Sequence, residues 1–332
     1  MGEPSPAAGS SGARRPSAVV LGGTGFVGRS VCGALTEAGY AVTAVGRKAA
    51  VPPAGCELLR LDLVRSSAEE LHEALAALEP AAIVNAAGTV WAVGNRQPSD
   101  SELSDGNLAL VQRLVEAVAR LAGRPRLVHF GSTYEYGPQP AGTVITEQTR
   151  EQPVSHYGLT KLAATHLVRD SVAAGRLDAV TLRLTTSVGP WPPLASLFGK
   201  VAYGLATQPE QLQVPALEDQ RDLVDVRDVA DAVVAAVRAA EAPPMFNIAS
   251  GTVVAVAEAV DLLIRIADQP AVISWQPRET ARKDAAQVGA QHIDISAARE
   301  HLGWKPRRDL TEALTALWST VLADYGTART GR

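Results

Sequence analysis

The run Ala18-Val19-Val20-Leu21-Gly22-Gly23-Thr24-Gly25-Phe26-Val27-Gly28 carries four apolar residues straight into glycines at 22, 25 and 28. An apolar run broken by glycine and followed by Phe26 to about Ala38, with Gly39 as a stop, predicts a buried strand, a tight turn and a helix. Glycines at these positions let backbone amides and a helix N-terminus approach a pyrophosphate, where the helix dipole favours negative charge. Such a triplet also serves in plain packing turns. Its place here, after the first strand and at the mouth of the first helix, is the setting that dinucleotide binding requires. Gly22, Thr24, Gly25, Phe26, Val27 and Gly28 are the expected cofactor cradle.

The segments that follow keep alternating. Ala41 to Val45 predicts a second strand, closed by Gly46-Arg47-Lys48. An acid at that strand end would receive the ribose hydroxyls of NAD. The basic pair Arg47 and Lys48 suits the 2′-phosphate of NADP, which is favoured, and NAD stays open because solvated Arg-Lys turns are common. A third strand, Glu57 to Leu61, leads into Asp62-Leu63, where a carboxylate can meet the adenine amino group. Ser67 to Leu78 reads as a crossover helix. Ala82 to Asn85 then runs into Ala86-Ala87-Gly88, small residues that let backbone lie against a cofactor. From about Ser101 to Ala122 a long helix is expected, with Leu108, Val111, Leu114, Val115, Val118 and Leu121 at helical spacing. A fifth strand, Arg126 to Phe130, opens into Gly131-Ser132-Thr133-Tyr134-Glu135-Tyr136-Gly137. There Ser132 or Thr133 can donate a hydrogen bond to a carbonyl oxygen as it gains charge. Strands alternating with helices predict an α/β fold, a Rossmann-like doubly wound parallel sheet.

A proton-transfer pair stands further on. In Ser155-His156-Tyr157-Gly158-Leu159-Thr160-Lys161, Tyr157 and Lys161 are four apart and share one helix face. A phenol ordinarily titrates near about 10, too high for work near neutrality. An ammonium or an oxidised nicotinamide beside it would bring that value down.

Composition excludes several alternatives. The 332 residues are 46% hydrophobic and 20% charged, an ordinary globular balance for one large α/β unit or a large domain with a smaller one. A net charge of −4 gives nucleic-acid binding no support. The two cysteines, Cys32 and Cys56, make neither a disulfide framework nor a thiolate zinc cage. Six scattered histidines form no convincing metal site; His156, next to Tyr157, is a candidate substrate contact. With no apolar run long enough to span a bilayer, a soluble cytoplasmic protein without membrane partners is expected. Residues 1–16, rich in Pro, Gly, Ser and Ala, read as a disordered leader.

Together these residues resemble the extended short-chain dehydrogenase/reductases, also called the NAD-dependent epimerase/dehydratase family. The likeness rests on the glycine triplet, Asp62-Leu63, Asn85-Ala86-Ala87-Gly88, Asn107, the Ser-Thr…Tyr-Gly segment at 132–137 and Tyr157-x-x-x-Lys161. It continues through Leu182-Arg183-Leu184 to Gly189-Pro190, Arg221-Asp222-Leu223-Val224-Asp225-Val226-Arg227-Asp228, Phe246-Asn247-Ile248 and Leu302-Gly303-Trp304-Lys305-Pro306. It covers about residues 18 to 320.

The resemblance implies roles residue by residue. Tyr157 would exchange a proton with the substrate oxygen, and Lys161 would hold the nicotinamide ribose and lower the Tyr157 pKa. Ser132, four before Tyr136, would be the catalytic hydroxyl, with Thr133 as the fallback. Asn107 would serve the cofactor side. Arg221 would meet the diphosphate of a sugar nucleotide, with a strand-end ion pair as its plainer role. Thr186, a candidate substrate contact, departs from the Asn that often precedes the family's Gly-Pro exit, and Arg282 is a candidate contact to base or phosphate, with a solvated loop as the alternative. Trp275 and Arg278 are further candidates. The helices of Asn107 and Tyr157 would form a homodimer. A Rossmann domain is expected at 17–184 with 218–250 returning to it. A smaller C-terminal α/β substrate domain is expected at 185–217 and 251–322, its closing helix at Glu312 to Leu322, before a frayed tail at 323–332.

The departures narrow the reaction. Dehydratases of the family follow the catalytic Thr with Asp-Glu, because losing water needs a carboxylic acid; Thr133-Tyr134 offers none. The basic Arg47-Lys48 points to NADPH and so to net reduction. The chain also resembles ketoreductases that finish deoxysugars in secondary metabolism. Reduction of a nucleotide-linked 4-keto-6-deoxyhexose, a dTDP sugar, is the expected activity. A 4-epimerase with tightly held NAD is the alternative, and a non-catalytic NADP-binding regulator a third reading, whose signature would be loss of Tyr157, Lys161 or the 132/133 hydroxyls.

Overall fold

Side chains of β1 (Ser17–Leu21) go alternately to opposite faces: Ala18 and Val20 join one buried cluster, Val19 and Leu21 another. A strand covered on both sides needs an unbroken apolar run, which is what stands before the glycines. The computed structural model describes residues 15–47, 51–90, 97–140, 142–215, 219–269, 273–276 and 289–330.

In chain order the next strands are β2 (Ala41–Gly46), β3 (Cys56–Arg60), β4 (Ala82–Asn85), β5 (Arg126–Ser132), β6 (Val144–Ile145), β7 (Asp178–Leu184) and β8 (Thr186–Val188). After them come β9 (Leu212–Pro215), β10 (Gln220–Asp225), β11 (Met245–Ile248), β12 (Val253–Ala255), β13 (Ile273–Gln276) and β14 (His292–Ile293). Seven of them form one parallel sheet in the order β3-β2-β1-β4-β5-β7-β11. Leu21 lies opposite Val45 on one side and Asn85 on the other, and Ser132 lies opposite Leu184. The order reverses at β1. The glycine turn, the end of β2 and the exits of β4 and β5 therefore open on the same edge, where ligands of such sheets bind.

Helices cover both faces. α1 (Phe26–Glu37) gives Val31, Cys32 and Leu35 to one core. On the other face lie α2 (Ala68–Ala76), α3 (Asp100–Ser104), α4 (Leu110–Ala119) and α5 (His156–Ala173), the last started by Ser155, whose hydroxyl accepts the Gly158 N–H. Ser67 and Glu70 close a reciprocal cap on α2. The long helix expected from Ser101 to Ala122 is interrupted: five residues, Asp105–Ala109, form a π-turn between α3 and α4. Wide turns of this kind recur where a helix serves a site, and this one carries Asn107.

The C-terminal half differs from the expected division. β10 belongs to a separate three-stranded sheet, β12-β10-β8, while α7 (Val226–Arg238) covers the α1 face and β11 extends the main sheet. Residues 218–250 are thus split between two sheets, because Asp225 ends β10 and caps α7 at once. Residues 293–304 also depart: Ile293, Ile295, Ala298 and Trp304 pack in the α1/α7 core. Trp304 donates to the Asp228 carbonyl at 2.9 Å, and the buried Asp228 carboxylate takes the Arg307 and Arg308 N–H groups and the Arg308 guanidinium. A third core joins α6 (Leu197–Thr207), α8 (Val256–Ala267) and the closing helix through Phe198, Leu263, Leu314 and Trp318. That closing helix runs Leu310–Thr330, past the Leu322 stop expected for it, so most of the supposed tail is helical.

Of the supposed leader, residues 1–14 lie outside the described residues. Arg15 is tied down by bonds to the Gly39 and Thr36 carbonyls at 3.1 Å. No helix among the described residues is long and apolar enough to cross a membrane.

Candidate active site

The glycine turn is shaped for a dinucleotide. Gly22 has φ +76°, a region favouring glycine, and a Cβ there would stand 2.8 Å from the Ala86 carbonyl oxygen. A Cβ on Gly28 would stand 2.1 Å from the Gly22 oxygen. Gly25 caps α1 without any side-chain hydrogen bond, so the first N–H groups of the helix point into the crevice without a side-chain cap. These features fit a pyrophosphate at the start of α1, with Thr24, Phe26 and Val27 around it. Thr24 also packs on the end of β2: a Cβ on Gly46 would lie 2.6 Å from its hydroxyl. Arg47, next in line, is exposed at the carboxyl end of β2; Lys48 lies outside the described residues.

Asp62 follows β3 at the same edge. Its Oδ1 accepts the Val64 N–H at 3.2 Å and Arg65 stands 4.0 Å away, leaving the carboxylate 41% exposed and able to meet a base. Leu63 is different. Its side chain is buried in the α2/α4 core, so only its backbone faces the crevice. Ala86 and Ala87 leave β4, held by Ala86 N–H to Leu21 and Ala87 N–H to the Asn85 side chain. A Cβ on Gly88 would come within 3.0 Å of Asn107 Oδ1. Asn107 itself is 2% exposed, and its amide is used on the Thr89 N–H, the Thr89 carbonyl and the Thr160 hydroxyl. The expected cofactor contact becomes a positioning part: Asn107 pins the β4 exit to α5.

Ser132, Tyr157 and Lys161, the expected catalytic residues, come together where β5 meets α5. Ser132 and Tyr157 share a hydrogen bond, a contact the structure gives Ser132 and not Thr133. Thr133, buried beside it, is engaged through its carbonyl, which accepts from Gln291 Nε2 at 3.1 Å. Burial pushes the Tyr157 phenol up to about 12, the neighbouring Tyr134 and Glu135 adding to the rise and Ser132 opposing it. This reverses the expected depression by Lys161. The Lys161 ammonium is instead hydrogen-bonded to the Phe130 carbonyl on β5 and pushed down to about 8 by burial, Glu135 working against that fall. His129 lies beneath, bonded by Asn85 at 3.1 Å; burial and then Lys161 hold it neutral, well below the ordinary imidazole value.

A small polar pocket lies beside these residues, lined by Thr133, Tyr134, Thr185, Thr186, Arg221, Asp222 and Gln291. Thr186 and Arg221, the expected substrate contacts, line this pocket together with Thr133 and Tyr134. Arg221 bonds Tyr134, the Gly289 carbonyl at 3.0 Å and, more loosely, Asp219 at 3.6 Å. The Tyr134 ring meets Tyr157 edge-on, centroids 6.0 Å apart. His156 does not join the site: its Nε2 pairs with Ser104 of α3 at 2.9 Å. Arg282 and Arg278 lie outside the described residues, and of Trp275 only its place in β13 is described.

Several working residues escaped sequence reading. Thr165, Thr89, Thr160 and Gln291 reach the site with no spacing to advertise them. Two signals were available: Glu135 stands three after Ser132 in the Ser-x-x-Glu spacing of a cap, and a Cβ on Gly106 would collide with the Thr89 hydroxyl at 2.0 Å.

Residues 18–249 match the family described as the NAD dependent epimerase/dehydratase family. Over 305 residues, 90% of this chain and 94% of the relative, the chain is 38% identical to a dTDP-6-deoxy-L-talose 4-dehydrogenase (NAD(P)(+)) of Kitasatospora kifunensis. It is 29% identical to a UDP-glucose 4-epimerase of Azospirillum brasilense, with 91% and 90% of the two chains covered. Among solved structures, a UDP-glucose-4-epimerase from Stenotrophomonas maltophila with bound NAD superposes with a TM-score of 0.80 over 95% of this chain and 99% of that one, at 23% identity, which speaks for the fold alone. The cradle, the Ser132–Tyr157–Lys161 arrangement and this match over most of the chain agree, and the protein belongs to the NAD-dependent epimerase/dehydratase family.

Proposed function

We propose that the chain reduces the C4 ketone of a nucleotide-linked 4-keto-6-deoxyhexose, a dTDP sugar, using NADPH. The observation that carries this reading is the placement of the Tyr157 phenol beside Ser132 and one helical turn before Lys161 on α5, with the phenol's pKa raised so that it stays protonated. A protonated phenol is an acid, ready to give its proton to a ketone oxygen. An epimerase would first take a proton from an alcohol, with an oxidised, positively charged nicotinamide to bring the phenol down. A reduced nicotinamide is uncharged and so does not draw the phenol back down. The relative from Kitasatospora is named for the opposite direction at the same carbon, and the bonds exchanged are the same in either direction.

When bound, the reduced nicotinamide supplies the hydride that reaches the sugar C4. Ser132 and Tyr157 hydrogen-bond the ketone oxygen, and Tyr157 delivers its proton as the alcohol forms. Lys161, buried on α5 one helical turn after Tyr157, helps restore that proton from solvent in this reading. Arg221 and Thr186 hold the substrate, Arg221 through the nucleotide diphosphate. The basic Arg47 favours the 2′-phosphate of NADP, and a homodimer through α4 and α5 is part of the same reading.

The test is incubation of the purified protein with NADPH, then NADH, and freshly made dTDP-4-keto-6-deoxyglucose and its L-configured isomer. Steady loss of the reduced nicotinamide absorbance supports the reductase. Isomer formation without net oxidation replaces it with the epimerase, and no change with either sugar removes it.

A further inference from the structure

Three residues after Ser132, the Glu135 side chain turns back beneath β5. Its Oε1 accepts the Ser132 N–H at 2.7 Å and the Thr165 hydroxyl at 3.0 Å, and its Oε2 accepts Arg183 Nε at 2.7 Å. Glu135 and Arg183 are both fully buried. The turn is possible because residue 131 is glycine: a Cβ there would stand 2.8 Å from Glu135 Oε1 and 3.0 Å from the Arg183 side chain. Arg183 is held in turn by Glu151 at 2.7 Å and by the Tyr136 ring, 4.6 Å below its guanidinium. The bond to the Ser132 N–H also closes a reciprocal cap on the three-residue turn Thr133–Glu135, so Glu135 and Ser132 are fixed to each other. A buried ion pair is weak evidence for stability, since desolvation offsets its attraction.

We propose that Glu135 is a positioning residue of the reaction, fixing Ser132 through its backbone N–H and supplying the fixed negative charge against which Tyr157 and Lys161 work. The inference rests on the reductase reading above for the use of that charge. Tyr157 bonds Ser132 and meets the Tyr134 ring edge-on, and Lys161 bonds the Phe130 carbonyl above the neutral His129. Among the described residues, Glu135 is the carboxylate whose charge reaches both. Its charge disfavours a phenolate at Tyr157 and favours an ammonium at Lys161. Both effects keep protons on the two groups that must deliver them. Arg183 holds the carboxylate in place through Oε2, while Oε1 is taken by Ser132 and Thr165.

Three variants separate charge from geometry. Glu135→Gln keeps an acceptor for Ser132 and removes the charge. Glu135→Asp keeps the charge and shortens the reach. Glu135→Gln/Arg183→Met removes both buried charges and is read in place of the first if that one does not fold. The readout is NMR titration of isotopically labelled lysine, with Lys161 assigned from Lys161→Met, alongside the pH profile of ketone reduction. In the wild type Lys161 should titrate near about 8. Removing the charge should lower that midpoint by roughly one unit or more, and the alkaline fall of kcat should move the same way. Glu135→Asp should keep the wild-type midpoint and lose about tenfold in kcat with KM little changed. A Lys161 midpoint unmoved in the charge-free variants overturns the proposal. The lysine titration needs no substrate, so a wild type that reduces no keto sugar would sink the functional reading while the midpoint still decides the role of Glu135.

Discussion

Asn107 presents its side-chain oxygen to the Thr89 N–H at 2.9 Å and its nitrogen to the Thr89 carbonyl at 3.0 Å, a two-bond ring between a π-turn and the exit of β4. A third bond from the same nitrogen reaches Thr160 at 3.2 Å, one residue before Lys161. One amide thus sets the distance between the loop that lies against the cofactor and the helix that carries the acid. Asn107→Ala should cost about 1–3 kcal/mol, because partly buried backbone groups lose their partners. It should also weaken NADPH binding several-fold. Urea unfolding and cofactor titration check both, and wild-type values in both would show that the ring carries no weight.

That ring also marks where sequence reading stopped. The parallel sheet was legible because β1 and β4 are continuous apolar runs and the glycines break them at fixed places. Tyr157 and Lys161 were legible because four residues make one helical turn. The partners of Asn107 lie 18 and 53 residues away, and those of Glu135 up to 48; no local period encodes such distances. The direction of the Tyr157 shift was misread for the same reason. A nearby cation was visible in the sequence, whereas the burial that outweighs it is a property of the folded chain.

The Ser132–Tyr157 hydrogen bond separates two adjacent hydroxyls. Tyr157→Phe should lower kcat by about a thousandfold or more and Ser132→Ala by about a hundredfold, each leaving the NADPH dissociation constant within about twofold. Thr133→Val should lose less than about tenfold, since the Thr133 carbonyl, not its hydroxyl, makes the observed contact with Gln291. Steady-state kinetics with fluorescence titration of NADPH decides. A Thr133 variant more damaged than the Ser132 variant would move the catalytic hydroxyl by one residue.

Lys161 should weaken the fold at neutral pH. Its folded pKa, about 8, lies below the ordinary 10.5, so between those values the unfolded chain holds a proton that the folded chain has released. Stability therefore rises with pH across that window, and below it the buried ammonium costs on the order of 3 kcal/mol. Lys161→Met should be inactive yet more stable than wild type at pH 7, with the margin closing as pH climbs through the window. Urea unfolding of the pair at several pH values tests this. A margin that stays constant with pH would mean that folding does not shift the Lys161 pKa.

Cofactor choice turns on one exposed side chain held in a fixed place. The Gly22 and Gly23 N–H groups both bond the Val45 carbonyl, at 2.9 and 3.1 Å, and Thr24 packs on Gly46, so the end of β2 and the glycine turn form one rigid unit. Arg47 leaves that unit at the position from which a side chain reaches the adenosine ribose. A guanidinium there can clasp a 2′-phosphate, a charge-assisted bond worth about 1.5–3 kcal/mol, or roughly ten- to a hundredfold in affinity. A carboxylate in its place would repel the phosphate and accept the two hydroxyls of an unphosphorylated ribose. Arg47→Asp should therefore raise KM for NADPH at least about tenfold, lower it for NADH and leave kcat with either cofactor close to wild type, because the hydride donor and Tyr157 stay in place. Kinetics with both cofactors at low and high salt tests the claim, with the NADPH preference of the wild type fading as salt screens the exposed charge. An unchanged NADPH-to-NADH ratio in the variant would remove Arg47 from cofactor recognition.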